Sequence, residues 1–208
     1  GGGQENSEIL PVVDEYDRVI GAQRRDEVHR LGLRHRASHV LVFDLAGRVF
    51  LQKRGLHKDS NPGLWDSSVA GHVDEGESYD QCCIREIKEE IGIEVGSVPE
   101  RLFKVDACAA TGMEFSWIYR LVTDKIVEPD YSEMEAGERY DVVTVDRWLC
   151  ERRSEFADTF QLIWERYREQ EFPWPCSWRL CFTLIICQAY FFGDDMDPVV
   201  DNRGFLRV

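Results

Sequence analysis

One stretch constrains this chain more than any other. It reads Gly71-His72-Val73-Asp74-Glu75-Gly76-Glu77, then seven residues, then Arg85-Glu86-Ile87-Lys88-Glu89-Glu90-Ile91-Gly92-Ile93. Ile84, Ile87 and Ile91 recur at i, i+3 and i+7, which predicts a helix over Ser78 to Ile91 with one apolar face. Gly92 is its natural stop. Glu86, Glu89 and Glu90, at i, i+3 and i+4, are then expected to share the face opposite the isoleucines. Three carboxylates so close repel one another and are best tolerated around a cation, and an all-oxygen set favours Mg²⁺ or Mn²⁺. Glu77, just before the helix, either adds a ligand or pairs with Arg85, whose expected part is a structural ion pair. Gly71, Gly76 and Gly92 permit tight backbone turns. A solvated acidic helix face would account for two glutamates. It does not account for the whole ordered set, which arises by chance in a chain on the order of one time in a million.

The flanks read as strands and short helices. Ile9 to Val13 and Arg18 to Ala22 form a hairpin around Asp14-Glu15-Tyr16-Asp17, with Pro11 placing the first run at a sheet edge. Arg24 to Leu31 is a short helix ended near Gly32. Ser38 to Leu45 and Arg48 to Arg54 are strands joined at Ala46-Gly47, and residues 55–63 are a loop. Trp65 to Ala70, Arg101 to Ala109 and Phe115 to Val122 are extended. The stretch from Thr123 to Tyr140 is acidic and loop-like, Asp141 to Val145 is a short strand, and Phe156 to Arg168 is an amphipathic helix. This order predicts an α+β fold, an α/β/α sandwich with a sheet flanked by helices. Residues 1–8 read as a flexible tail, 9–172 as the domain, and 173–208 as an extension. The apolar run Leu180 to Phe192 is shorter than the roughly 20 residues a membrane span needs.

Charge narrows the partners. A formal net charge of −14 repels nucleic-acid backbones, so no nucleic acid is expected. A small anion remains acceptable where a cation and a few Lys or Arg residues reverse the local field. Seven cysteines, Cys82, Cys83, Cys108, Cys150, Cys176, Cys181 and Cys187, include no CxxC pair and read as reduced, mostly buried thiols. With no basic-then-apolar start, a cytoplasmic protein is expected.

Gly71-x5-Glu77-x7-Arg85-Glu86-Ile87-x-Glu89-Glu90-x-Gly92-Ile93 matches every defined position of the Nudix box, and the chain resembles the Nudix hydrolase superfamily on that ground. The resemblance implies the Nudix fold, with the box as a loop–helix–loop. It also implies hydrolysis of a diphosphate linkage, in a nucleoside diphosphate-X or a related organic diphosphate, by metal-activated water. Glu86, Glu89 and Glu90 would hold the metal. Many hydrolases of this superfamily are dimers, so a homodimer is among the states it implies.

A narrower similarity runs from about Asp14 to Tyr119, toward the branch containing isopentenyl-diphosphate isomerase. It rests on His29, His35, Lys53-Arg54, Lys58, Pro62-Gly63-Leu64-Trp65, Ser68-Val69-Ala70-Gly71-His72 and Glu114. It implies diphosphate binding by Arg54 and Lys58. It also implies a second metal site at His29, His35, His72 and Glu114, with general-base duty as another reading of Glu114. The sequence departs from that branch at Ala70, where the isomerases carry a catalytic cysteine, and at Gly112, where they carry a second glutamate. The early histidines are six apart, one fewer than in the isomerases. A methyl group moves no proton, so isomerase chemistry is disfavoured. A non-catalytic binding protein of the same fold is the remaining alternative. Base stacking is one reading of Phe115, Trp117, Tyr119 and Trp65, and core or sheet-face packing is the favoured one.

Overall fold

A computed structural model describes residues 8–171. The run from Leu180 to Phe192 and the extension around it lie outside the described residues. Glu8, assigned to the tail, is tied down: its carbonyl accepts the backbone N–H of Arg25 at 2.8 Å.

The opening hairpin pairs β1 (Ile9–Val13) with β2 (Val19–Arg24) in a two-stranded sheet. Its turn closes on Asp14, whose Oδ1 accepts the N–H groups of Tyr16 and Arg18 at 2.9 Å each. Helix α1 (Arg25–Leu31) follows and ends at Gly32. Among the described residues the larger sheet has seven strands: β3 (His35–Phe43), β4 (Val49–Arg54), β5 (Trp65–Asp66), β6 (Val69–His72), β7 (Glu100–Val105), β8 (Glu114–Val122) and β9 (Met134–Tyr140). The β3–β8 pair is parallel and the others antiparallel, so the sheet is mixed. Helix α2 (Tyr79–Ile91) packs on one face, and α3 (Val142–Glu151) and α4 (Asp158–Glu171) on the other.

β3 is buried on both faces, as a strand between two helical layers must be. Val40 and Val42 meet Cys83, Ile87 and Ile91 of α2. Leu41 and Phe43 meet Phe160, Ile163 and Trp164 of α4. The same odd-numbered face continues as His35, Ala37 and His39, beyond the reach of the α4 aromatics.

Several expectations are corrected. The apolar face of α2 is Cys83, Ile87 and Ile91 at i, i+4 and i+8, while Ile84 is only half-buried. The glutamates are not set opposite that face: Glu90, beside Ile91, is 8% exposed, whereas the Glu89 side chain is 58% exposed. The predicted single strand from Trp65 to Ala70 is broken at Ser67-Ser68 into β5 and β6. The acidic stretch from Thr123 to Tyr140 contains β9, paired along β4 from Val49–Tyr140 to Arg54–Met134. Its side chains carry little strand signal because only Met134 is buried. Asp141 to Val145 is no strand but the start of α3. Its β-branched residues suggest extension, yet Val145, Trp148 and Leu149 bury one helical face.

The break at Ser67-Ser68 shapes the site. β3 and β4 pair only at Val42–Phe50 and Phe43–Val49, then diverge. β5 follows β4 and β6 follows β3, and the chain crosses between them at the two serines. Ser68 Oγ accepts the N–H of Val42 at 2.8 Å and donates to the carbonyl of Phe50, bridging the split.

Candidate active site

Ser78 starts α2 with a reciprocal cap: its hydroxyl accepts the N–H of Gln81 at 3.1 Å, and the Gln81 side chain accepts the N–H of Ser78 at 2.9 Å. Gly92, at φ 69°, ends it in the left-handed region. Between these caps Arg85 gathers the acidic groups. Its Nε and Nη2 reach the two oxygens of Glu77 at 2.7 and 2.9 Å. Its Nη1 reaches Glu86 at 2.7 Å and Glu89 at 3.1 Å. Its Nη2 also donates to the carbonyl of His72 at 3.1 Å. A planar guanidinium suits this fork of acceptors. Glu77 is thereby used on both oxygens, and one of them also accepts the N–H of Asp74 at 3.1 Å. Its geometry follows the ion-pair reading, and it does not line the cavity described below.

Gly71 permits the closest approach in the box. A Cβ at that position would lie 2.2 Å from Glu86 Cδ. Glu90 turns inward through the split in the sheet. Its Oε2 accepts the N–H of Ala70 at 2.9 Å and its Oε1 accepts from Gln52 Nε2 at 3.2 Å. Burial pushes the Glu86 carboxyl up to about 7, against the lowering pull of Arg85. Burial, and then the charge of Glu86, raises Glu90 well above the usual carboxylate range. Two carboxylates so placed call for a positive partner.

Parallel pairing sets His35 directly beside Glu114, and β6 brings His72 opposite Ala37 on the same face. His29 reaches in from α1. The ligating atoms of His29, His35 and His72 lie within 4.8 Å of one another. Glu114 Oε2 is 3.2 Å from His35 Nε2 and 2.9 Å from His72 Nε2. His35 Nδ1 lies 2.8 Å from the carbonyl of Leu33, which can only accept, so Nδ1 carries hydrogen. His35 Nε2 therefore faces a carboxylate oxygen either as a second N–H or across a shared cation. Burial opposes charge on His35, but the hydrogen bond to Glu114, the charge of Glu114 and the Leu33 carbonyl together outweigh it and raise His35. Burial lowers His72, and burial with the neighbouring positive groups pushes His29 down to about 4. Burial opposes ionisation of Glu114, yet His35 and His72 hold it well below the usual range.

Both clusters open on one cavity of about 820 Å³, whose wall includes Glu86, Glu89, Glu90, His29, His72 and Glu114. Arg54 and Lys58 line it too. Arg54 donates to the carbonyl of Ser60 at 3.0 Å and faces Asp66 at 3.5 Å, while Lys58 pairs with Glu133. The aromatic residues weighed for base stacking do not line it. Phe115 and Tyr119 are core residues, Trp65 packs against Tyr140 and Trp148, and Trp117 lies under Arg101 at 4.5 Å.

Sequence reasoning missed several wall residues: Glu8, Arg25, His39, Asp66, Asp130 and Glu133. Arg25 is bidentate to Asp59 at 3.0 and 3.1 Å. Burial and a hydrogen bond to Asp74 raise Glu8 to about 7. The available signals were a histidine inside the apolar run of β3 and the acidic stretch set aside as loop.

The fold is that of a mixed-sheet α/β/α sandwich in which a loop–helix–loop carries carboxylates into a cavity. The NUDIX domain profile matches residues 33–160. The chain is 34% identical over 162 residues to the isopentenyl-diphosphate Delta-isomerase of Burkholderia multivorans, covering 76% of this chain and 92% of the relative. It is 40% identical over 128 residues to an uncharacterized Nudix hydrolase of Streptomyces coelicolor, covering 61% and 71%. A Deinococcus radiodurans crystal structure superposes with a TM-score of 0.66 at 24% identity, covering 76% of this chain and 98% of that one, a likeness of fold. The chain belongs to the Nudix family and is, by class, a Nudix-type pyrophosphohydrolase. Among the described residues no helix is long and apolar enough to cross a membrane.

Proposed function

We propose that this cavity hydrolyses a diphosphate linkage in a small molecule, a nucleoside diphosphate-X or a related organic diphosphate, with Mg²⁺ or Mn²⁺ held by Glu86, Glu89 and Glu90. The observation that carries the reading is that these carboxylates and the cations Arg54 and Lys58 line the same cavity. Its volume, about 820 Å³, is in the range of small-molecule sites. The donor set fits a divalent cation. It is all oxygen, and burial leaves Glu86 and Glu90 short of positive charge. Such a cation supplies an activated water and neutralises charge on phosphoryl oxygens. The chain's own part is to hold the site in shape. Arg85 orients Glu86 and Glu89, Gly71 leaves room for Glu86, the Ala70 N–H and Gln52 fix Glu90, and Arg54 and Lys58 bind the diphosphate.

The histidine cluster supports a second cation site at His29, His35, His72 and Glu114, where three nitrogen donors favour Zn²⁺ or Mn²⁺. Glu114 serves there as a ligand, since one of its oxygens already meets two imidazoles. His29 Nδ1 faces Asp59 at 3.6 Å, a carboxylate placed to orient the ring.

Isomerisation of isopentenyl diphosphate is the second reading, favoured by the kinship with the Burkholderia protein and opposed by Ala70 in the cavity wall. Phosphate release with Mg²⁺ from a panel of nucleoside di- and triphosphates, nucleotide sugars, dinucleotides and isoprenoid diphosphates tests the proposal, with Glu90→Gln as control. Undiminished turnover in that variant overturns the metal-ligand assignment. Deuterium uptake into isopentenyl diphosphate without phosphate release would favour the isomerase.

A further inference from the structure

Among the ionisable side chains of the cavity wall that have no part in the proposed chemistry, His39 stands apart. His39 sits in β3, 4% exposed, in a run otherwise apolar from Val40 to Phe43. The antiparallel register pairs it with Ala70 of β6, so both side chains lie on the same face, and both line the cavity. Its ring is anchored through one nitrogen. Nδ1 lies 3.0 Å from Ser67 Oγ and 4.0 Å from Asp66 Oδ1. Asp66 is itself buried, accepts the N–H of Ser67 at 2.7 Å through Oδ1, and faces Arg54 Nη1 at 3.5 Å through Oδ2. One carboxylate thus sits between the imidazole and the guanidinium and sets the two side by side on the wall.

The other nitrogen is differently placed. Among the described residues no hydrogen bond reaches His39 Nε2, and it is not one of the buried atoms left without a partner. A histidine serving only the core satisfies both nitrogens. This one satisfies Nδ1 and leaves Nε2 without a hydrogen-bond partner among the described residues, on a side chain that lines the cavity. In the tautomer where the Ser67 hydroxyl donates to Nδ1, the ring hydrogen resides on Nε2, which makes that atom a donor.

We infer that His39 is a further substrate-binding residue, whose Nε2–H donates to a phosphate oxygen of the bound diphosphate beside Arg54. This rests on the reading that the cavity takes a diphosphate. Asp66 and Ser67 act as positioning residues: the first shared between His39 and Arg54, the second holding Nδ1.

Two substitutions separate this role from a structural one, because asparagine places its amide near Nδ1 and glutamine near Nε2. The measurements are KM for whichever substrate the panel identifies, affinity for methylenediphosphonate by calorimetry with Mg²⁺, and thermal midpoint. His39→Asn keeps the Ser67 contact and is expected to hold the wild-type midpoint while KM and the methylenediphosphonate Kd rise about tenfold or more. His39→Gln is expected to stay within about threefold. His39→Phe, a flat ring without nitrogen, gives the same loss of affinity if the asparagine variant does not fold. A purely structural role predicts the reverse order, with asparagine rescuing and glutamine failing, and that result overturns the inference. So does unchanged affinity in His39→Asn, or a wild-type protein that does not bind methylenediphosphonate. Binding that depends on His39 in a protein that hydrolyses nothing on the panel would support the inference while sinking the hydrolase reading.

Discussion

The Oε2 atom of Glu90 accepts the backbone N–H of Ala70 at 2.9 Å. That contact joins the carboxylate helix to the strand edge left open where β5 and β6 part. It brings a buried acidic group to the cavity and shows why the box needs both a helix and the strand before it. It also gives position 70 a task that the backbone of any residue except proline can perform, independent of the side chain there.

Glu90→Gln should keep the fold and lose the reaction. The amide removes an uncompensated buried charge, so the metal-free variant is expected to melt no lower than the wild type. Turnover with Mg²⁺ should fall at least about a hundredfold. Mg²⁺ at about 100 times its Kd should stabilise the wild type by about 2.7 kcal/mol and the variant by markedly less. Thermal melts with and without Mg²⁺ check this, and equal metal-induced shifts would contradict it.

Gly71→Ala should damage activity more than stability. The added methyl would meet the end of a flexible side chain, Glu86, at 2.2 Å, so the carboxylate moves and the backbone does not have to. A loss of about tenfold or more in kcat is expected, with a thermal change below about 1 kcal/mol. A variant that simply unfolds would refute that division.

Metal content distinguishes the two clusters. Protein purified without chelator should carry Zn²⁺ or Mn²⁺ bound at the histidine cluster. His72→Ala should lose that metal while Glu90→Gln retains it, as read by elemental analysis. Retention in His72→Ala would remove the second site.

Asp17 supplies a pH signature away from the site. It accepts from Arg36 at 2.7 Å, from Tyr79 at 2.8 Å and from Lys104 at 2.5 Å, tying the first hairpin to the sheet and to the box helix. Burial opposes its ionisation, but these hydrogen bonds outweigh it and lower its pKa below the usual 3.8. A lowered folded pKa stabilises above the unfolded value, and that stability is lost as pH falls through the folded one. Asp17→Asn, which tolerates the φ of 62° found there, should cost about 1–3 kcal/mol at pH 7. The difference from wild type should shrink below about pH 4. Denaturant titrations at pH 7 and pH 3 test it.

Much of the fold could be read locally. The hairpin, α1 and α2 announce themselves through turn residues, caps and apolar spacing, all short-range. β9 and α3 do not. The run from Met134 to Tyr140 gains its strand from backbone bonding to β4, with little side-chain burial to mark it. Val142 to Val145 has strand-like residues overruled by the packing of Trp148 and Leu149. At the site, residue types and order pointed to Glu86, Glu89 and Glu90, and the similarity to the isomerase branch pointed to His29, His35, His72 and Glu114, and all of these but His35 line the cavity. Residue types and order left open whether Glu77 binds metal or Arg85, and gave no hint of Asp66 or Arg25.

By itself the sequence determined the chemistry available in the Gly71–Ile93 segment, because a helical repeat fixes which carboxylates are neighbours. Tertiary structure alone decided where each one goes. Only the divergence of β3 from β4 opens a passage for Glu90, only the parallel register of β3 and β8 sets His35 against Glu114, and only the pairing of β3 with β6 puts His39 across from Ala70. Those relations depend on strand pairing between residues far apart in the chain, which no local pattern encodes.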